Sequence, residues 1–205
     1  MADNKTGART RPSLLLRIRD PGDTAAWQAF VDVYGPLIYR HSRGRGLQDA
    51  DAADLTQDVL FQVSRSIQTF EYRPEQGRFR DWVGTVTENK IRTFLTRQVG
   101  AIQARGETGQ PDPLTHVAAC EQDTQWAEEF NRHILHLALT RIQPHFEEHV
   151  WRAFEGVWRD DQPPGQVADA LGQSIDWVYM VKARVLKRLQ EEVEELAEDM
   201  PLLLR

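Results

Sequence analysis

The sequence predicts an all-α protein built as two small helical domains joined by a flexible linker. Three observations carry this. Apolar residues recur at spacings of three and four along most of the chain, and no stretch alternates convincingly with period two. From Val99 to Asp123 the composition changes, with Gly100, Gly106, Gly109, Pro111 and Pro113 set among polar residues. A structureless segment of that length is unusual inside one compact domain and reads as an interdomain linker. Beyond it, Pro163–Leu189 reads as two helices about a tight turn.

Taken in order, residues 1–11 are polar and are expected to be disordered, and Ser13–Arg19 can form a short helix stopped by Asp20-Pro21-Gly22-Asp23. Thr24 is the expected N-cap of the next helix, whose Trp27, Phe30, Val31 and Tyr34 line one face. Gly35-Pro36 is expected to break or bend it before Leu37, Ile38 and Tyr39 continue it. Asp49–Thr69 is a third helix with Leu55, Val59 and Val63 as its inward row. Phe70–Gly77 is a loop, and a fourth helix runs from about Phe79 to Arg97 with Phe79, Val83, Val86 and Phe94 expected inside. Helical character returns from Thr124 to Ile142, breaks at Gln143-Pro144, and resumes from His145 to Trp158. There is no internal repeat.

Composition narrows the class. The 205 residues give one or two domains with modest cores, 40% of them hydrophobic and 27% charged, and a single cysteine, Cys120, excludes an internal disulfide framework and a cysteine-based zinc site. No apolar run approaches a membrane span and Met1–Pro12 has no export-type apolar core, so a cytoplasmic protein is expected. A net charge of −6 argues against indiscriminate nucleic-acid binding, but the charge is segregated. Residues 1–19 carry Lys5, Arg9, Arg11, Arg17 and Arg19 against Asp3, whereas Glu191–Asp199 holds six acids and no base. Such segregation suits a protein that touches both a polyanion and a basic partner.

The two helices after Pro163 have the signature of a helix-turn-helix. The first carries Val167, Ala170 and Leu171; Gly172 stands where a helix C-terminus wants positive φ, and Ser174 where the next helix wants a cap. In the second, Val178, Val181, Val185 and Leu189 form one stripe that Ile175 extends, with Asp176, Tyr179, Met180, Ala183, Arg184 and Lys187 opposite. Any helical hairpin in a bundle can show a glycine turn and an apolar stripe. The charges favour DNA: Lys182, Arg184, Lys187 and Arg188 stand against Asp176 in an otherwise acidic chain, as phosphate contact requires.

Two further helical faces carry chemistry. Asp51, Asp54 and Asp58 share a face of the third helix with Gln57 beside them. A solvated acidic face near a helix N-terminus accounts for this, and so does a docking surface for a basic partner helix. On the fourth helix, Trp82, Thr85, Asn89, Arg92 and Thr96 form a second stripe. These groups can stack on an unpaired base, hydrogen-bond its edge and hold the backbone, although Trp82 also fits as core at the helix start.

Together, DAADLTQDVLFQV (51–63), FRDWVGTVTENKIRTFLTR (79–97) and QVADALGQSIDWVYMVKARVLKRL (166–189) resemble a bacterial RNA polymerase sigma factor of the compact extracytoplasmic-function class. The resemblance covers roughly 24–97 and 144–190. It implies an N-terminal extension (1–23), a sigma region 2-like helical bundle (24–98), a linker (99–123), a sigma region 4-like helix-turn-helix domain (124–190) and an acidic tail (191–205). By resemblance, Asp54, Leu55, Gln57 and Asp58 dock on the clamp helices of the polymerase's largest subunit, and the flap is a second polymerase contact. Trp82 and Asn89 capture the minus-ten element as the duplex opens, and Arg80, Lys90, Arg92 and Arg97 follow its backbone. Asp176, Trp177, Tyr179, Met180, Ala183, Arg184 and Lys187 face the minus-thirty-five element. The implied partners are core RNA polymerase, promoter DNA and a regulator such as an anti-sigma factor, with no cofactor, no metal and no enzymatic activity.

Departures from the family pattern are local. Glu88 stands where a basic or small residue is usual and is expected to weaken backbone affinity, and Asp176 and Trp177 replace small residues at the start of the recognition helix. Lys182 falls near the apolar stripe, where it can either pack or snorkel to phosphate. The glutamate tail, outside the pattern, can repel DNA or simply be a solvated helix end. Two alternatives have their own signatures. A polymerase-independent helix-turn-helix repressor or activator binds duplex alone, usually as a symmetric dimer. A zinc hydrolase would draw on the pairs His133/His136 and His145/His149, which Pro144 separates and which lack an intervening acid.

Overall fold

The computed structural model describes residues 14–69, 78–104 and 119–197, with backbone alone for 99–104 and 119–123. Among these residues the chain is all helical: α1 (Leu14–Arg17), α2 (Thr24–Gly44), α3 (Asp49–Ser66), α4 (Phe79–Ala104), α5 (Ala119–Ile142), a 3-10 turn (Gln143–His145), α6 (Glu148–Trp158), α7 (Pro164–Leu171) and α8 (Ile175–Ala197). The loop expected at 70–77 and the middle of the expected linker, 105–118, lie outside the described residues. Contacts divide the chain into two units, one ending at Trp126 and one beginning at Ala127. No described helix is long and apolar enough to cross a membrane.

In the first unit α1 packs on α2, and α3 packs on both α2 and α4. The N-cap of α2 is Asp23 rather than Thr24: its carboxylate accepts the Ala26 N–H at 2.9 Å. The same carboxylate takes two hydrogen bonds from the Arg17 guanidinium, at 2.9 and 3.0 Å, so the aspartate caps the helix, as a threonine could, and also makes a charged bidentate pair, which a threonine could not. Leu15 and Ile18 are buried, which draws the end of the expected N-terminal extension into this unit. Pro36 does not break α2. It lies on the exposed side while Gly35, Leu37 and Ile38 are buried, and apolar burial on either side keeps the helix continuous across one missing N–H. Phe30 stacks on Tyr34 with ring centroids 4.6 Å apart, and Phe79 of α4 closes the group.

The inward face of α4 is turned from the expected one. Phe79 and Val83 are buried as expected, but the row continues through Thr87 and Ile91, while Val86 and Phe94 are only half-buried. Thr87 is tolerated there because its hydroxyl donates to the Val83 carbonyl at 2.8 Å. The cause of the turn is Trp126, near the start of α5, 2% exposed and donating its indole N–H to the Arg80 carbonyl at 2.8 Å. Its ring lies over Gly84, where a Cβ would stand 2.7 Å from indole atoms. It also meets the buried His41 ring edge-on, 5.1 Å between centroids. The expected linker is therefore helical at both ends, and its far side returns to the first unit.

In the second unit, α6, α7 and α8 pack on one another. The buried set includes Phe130, Ile134, Ala138 and Ile142 of α5, Trp151, Phe154 and Val157 of α6, and Val167 of α7. Val178, Val181, Val185 and Leu189 of α8 are all inside, as the spacing predicts. The helix does not stop at Gln190. Glu192, Val193, Leu196 and Ala197 are buried, and Glu192 is held by Arg188 at 2.9 Å and Arg141 at 3.5 Å. Part of the acidic stretch is thus core, while Glu191, Glu194 and Glu195 stay exposed and residues 198–205 lie outside the description.

Alanine is a better helix former than glycine by about 1 kcal/mol, yet Gly84→Ala is expected to destabilise the first unit by about 1–2 kcal/mol net because the indole must move. Trp126→Ala is expected to cost roughly 3–5 kcal/mol. Urea unfolding followed by circular dichroism checks both, and a stabilised Gly84→Ala would refute this packing.

Candidate nucleic-acid interface and docking face

Residues four apart on a helix share a face, and α3 sets Asp54, Gln57 and Asp58 out to solvent on one face while Ala52, Leu55, Val59 and Val63 go inward. Leu55, expected among the docking residues, is instead 5% exposed and supports that face from beneath. Lys90 of α4 reaches across, its Nζ 3.7 Å from Asp58 Oδ2, so it belongs to the margin of the acidic face rather than to the stripe with Arg92. Asp51, Asp54, Asp58, Lys90, Phe94 and Arg97 line a groove between the two helices. One residue escaped the sequence reading: Phe61, one turn beyond Asp58 on the same face, is 64% exposed with the Arg65 guanidinium 5.8 Å above its ring. The 54-57-58-61-65 spacing carried that signal, but an aromatic in a helix is ordinarily assigned to core.

Along α4, Thr85, Asn89, Arg92 and Thr96 are exposed on one edge. Trp82 begins this edge half-buried, one face of its ring stacked on Phe79 at 5.5 Å, so it is partly core and partly surface. Arg80 does not join it. Its side chain is buried with Nε 3.5 Å from Asp81, and burial, with Arg78 adding repulsion, pushes the guanidinium below its usual range while Asp81 partly opposes this. Arg97 is exposed at the groove rather than buried in a helix contact.

Glu88 faces away from that edge. Its Oε1 receives His41 Nε2 at 2.6 Å and Arg45 Nη2 at 2.7 Å, linking α4 to the end of α2. Burial pushes its carboxyl up, but the hydrogen bond with His41 and the charge of Arg45 more than offset this and hold it below the ordinary glutamate value. The negative charge expected to weaken backbone affinity is thus engaged within the unit.

In the second unit the turn has the predicted chemistry. Gly172 has φ 64°, the left-handed conformation that terminates α7, and the Ser174 hydroxyl accepts the Trp177 N–H at 3.1 Å to cap α8. Asp176, Tyr179, Met180, Ala183, Arg184 and Lys187 are exposed together, as the spacing predicts. Ile175 does not extend the buried stripe: at the first turn it is 50% exposed, beside Tyr179 and Met180. Trp177 is half-buried, stacked parallel on His149 at 5.6 Å, and Lys182 is half-buried as well. Of the four histidines weighed as zinc ligands, His133 is buried, whereas His136, His145 and His149 are exposed. The described residues hold no group of three or more His, Cys, Asp or Glu placed to bind a metal.

Because the folded carboxyl of Glu88 sits below its unfolded value, its contribution to stability is complete above the unfolded glutamate range and is lost as pH falls through the folded value. Acid titration of thermal stability is expected to show this loss in the native chain and a flatter profile, from a lower plateau, in Glu88→Gln. An unchanged acid limb in Glu88→Gln would show that the bridge does not couple to folding.

Residues 30–100, from within α2 through α3 and most of α4, match the model of Sigma-70 region 2. No curated protein matches the chain. The segment bearing the acidic face and the polar edge of α4 is thus similar to sigma-70 region 2, the part of such factors that serves RNA polymerase binding and promoter recognition.

Proposed function

We propose that the chain is a compact, extracytoplasmic-function-type sigma factor: a cytoplasmic, non-enzymatic subunit that gives core RNA polymerase its promoter choice. The observation carrying this is that the Sigma-70 region 2 match spans both the solvent-facing Asp54–Gln57–Asp58 face and the Trp82–Thr96 edge. The acidic face, extended by Phe61, suits a basic helical partner, and the clamp helices of the polymerase are that partner. Trp82 and Asn89 take an unstacked base of the minus-ten element, and Arg92 follows the strand backbone. The capped helix-turn-helix of the second unit supports minus-thirty-five reading by the exposed face of α8. Regulation by an anti-sigma protein belongs to the same proposal.

The test is assembly with bacterial core RNA polymerase followed by promoter-directed transcription. Comigration with core and specific transcripts are expected. Duplex binding without polymerase, on a palindromic site, would instead support a repressor or activator. Asp54→Arg with Asp58→Arg is expected to abolish assembly, because charge reversal sets like charges across the interface. Asn89→Ala is expected to leave assembly intact and to slow promoter opening about ten-fold, as loss of one hydrogen bond to a base would, read by permanganate reactivity of unpaired thymines. Equal loss of assembly and opening in Asn89→Ala would remove that role.

A further inference from the structure

An arginine on an exposed helix face has several rotatable bonds, and ordering it on binding costs up to about 2 kcal/mol. Arg184 is not left to wander. Its guanidinium lies 5.6 Å from the centroid of the Phe146 ring, which comes from the turn before α6. Phe146 is itself backed by the core: its ring lies 6.2 Å from Trp151, and Trp151 lies 5.4 Å from the fully buried Phe154. The same turn steadies the neighbouring flank of α8, since His149 stacks on Trp177 and pairs with Glu147 at 3.4 Å. A row of rings therefore runs from the core to the one arginine of the exposed α8 face.

We infer that Phe146 is a positioning residue for Arg184, presetting its planar fork for one guanine in the upstream duplex. The inference rests on the proposed reading of the second unit as the duplex-reading unit. Arginine is the side chain whose two parallel N–H groups match guanine O6 and N7 in the major groove, and it discriminates only when the fork arrives correctly oriented. A cation held over an aromatic face keeps its charge and its donors at the ring edge, so the stack orders the fork without consuming it. Preordering lowers the entropy lost on binding, and because guanine alone satisfies both arms of the fork the gain falls on that one base pair.

The experiment uses the full chain assembled with core polymerase. Upstream sequences selected from a randomised duplex library by the native holoenzyme define the preferred site, and each base pair is then replaced in turn. Arg184→Lys, which keeps charge but loses the fork, is expected to relax preference at one G·C pair. Phe146→Leu, which keeps apolar bulk but loses the ring, is expected to relax preference at that same pair by about two- to five-fold. The double variant is expected to add nothing beyond Arg184→Lys, Phe146→Tyr to retain the preference, and the salt dependence to stay unchanged because no phosphate contact is lost. Should Phe146→Leu fold poorly in a thermal melt, Phe146→Met takes its place. Unchanged preference in the ring-less variant, or an equal loss on every sequence, would overturn the positioning role while leaving duplex reading intact. A native holoenzyme that selects no upstream sequence, or a silent Arg184→Lys, would instead overturn the reading on which it rests.

Discussion

A tryptophan can be seated flat against a helix only where that helix offers no side chain, and in the first unit Gly84 provides the place for Trp126. The indole fills the space a Cβ would need, hydrogen-bonds to the Arg80 carbonyl and meets the buried His41 ring. Those contacts decide how α4 is rotated. With Trp126 over Gly84, the core row becomes Phe79, Val83, Thr87 and Ile91, and Glu88 is aimed at His41 and Arg45. The faces left over are the groove toward α3, with Lys90 and Arg97, and the polar edge of Thr85, Asn89, Arg92 and Thr96. One packing contact thus sorts the described side chains of α4, residues 79–98, into core, bridge, groove and exposed edge.

The second unit depends on local rules more than on a distant anchor. A left-handed glycine ends α7 and a serine hydroxyl begins α8, and with both ends set the apolar stripe of α8 has one way to turn inward. The exposed face follows automatically, half a turn (about two residues) out of phase with the buried one. Tertiary structure adds the turn at Phe146–His149, which touches two residues of α8 and so adjusts side chains whose backbone is already placed. Under the proposed function the units differ in kind: a docking face needs exposed charge, whereas a reading helix needs ordered donors.

Which stretches are helical, the turn at Gly172 and the inward stripe of α8 were legible because each depends on residues within one or two turns. Periodicity, a cap and a positive-φ position are local properties. The acidic face of α3 and the exposed edge of α4 were legible for the same reason. What escaped was decided by partners distant in sequence. Pro36 looked like a break or a bend, and the break is absent because apolar burial on both sides, which no local signal reports, holds the helix together. Arg80 was expected beside Arg92 and Arg97, but its side chain is buried, and its carbonyl takes the indole N–H of Trp126, 46 positions away. Glu88 looked like a surface departure until His41 and Arg45, 47 and 43 positions earlier, engaged it.

The sequence by itself determined that the chain is helical, where α7 ends and α8 begins, and which residues can share a face, because those follow from backbone geometry and near neighbours. Only the tertiary structure decided which of two plausible faces of α4 goes inside, that α8 stays buried past Gln190, and that Phe61 is exposed. Each of these depends on which surface another helix covers, and burial is a property of the pair.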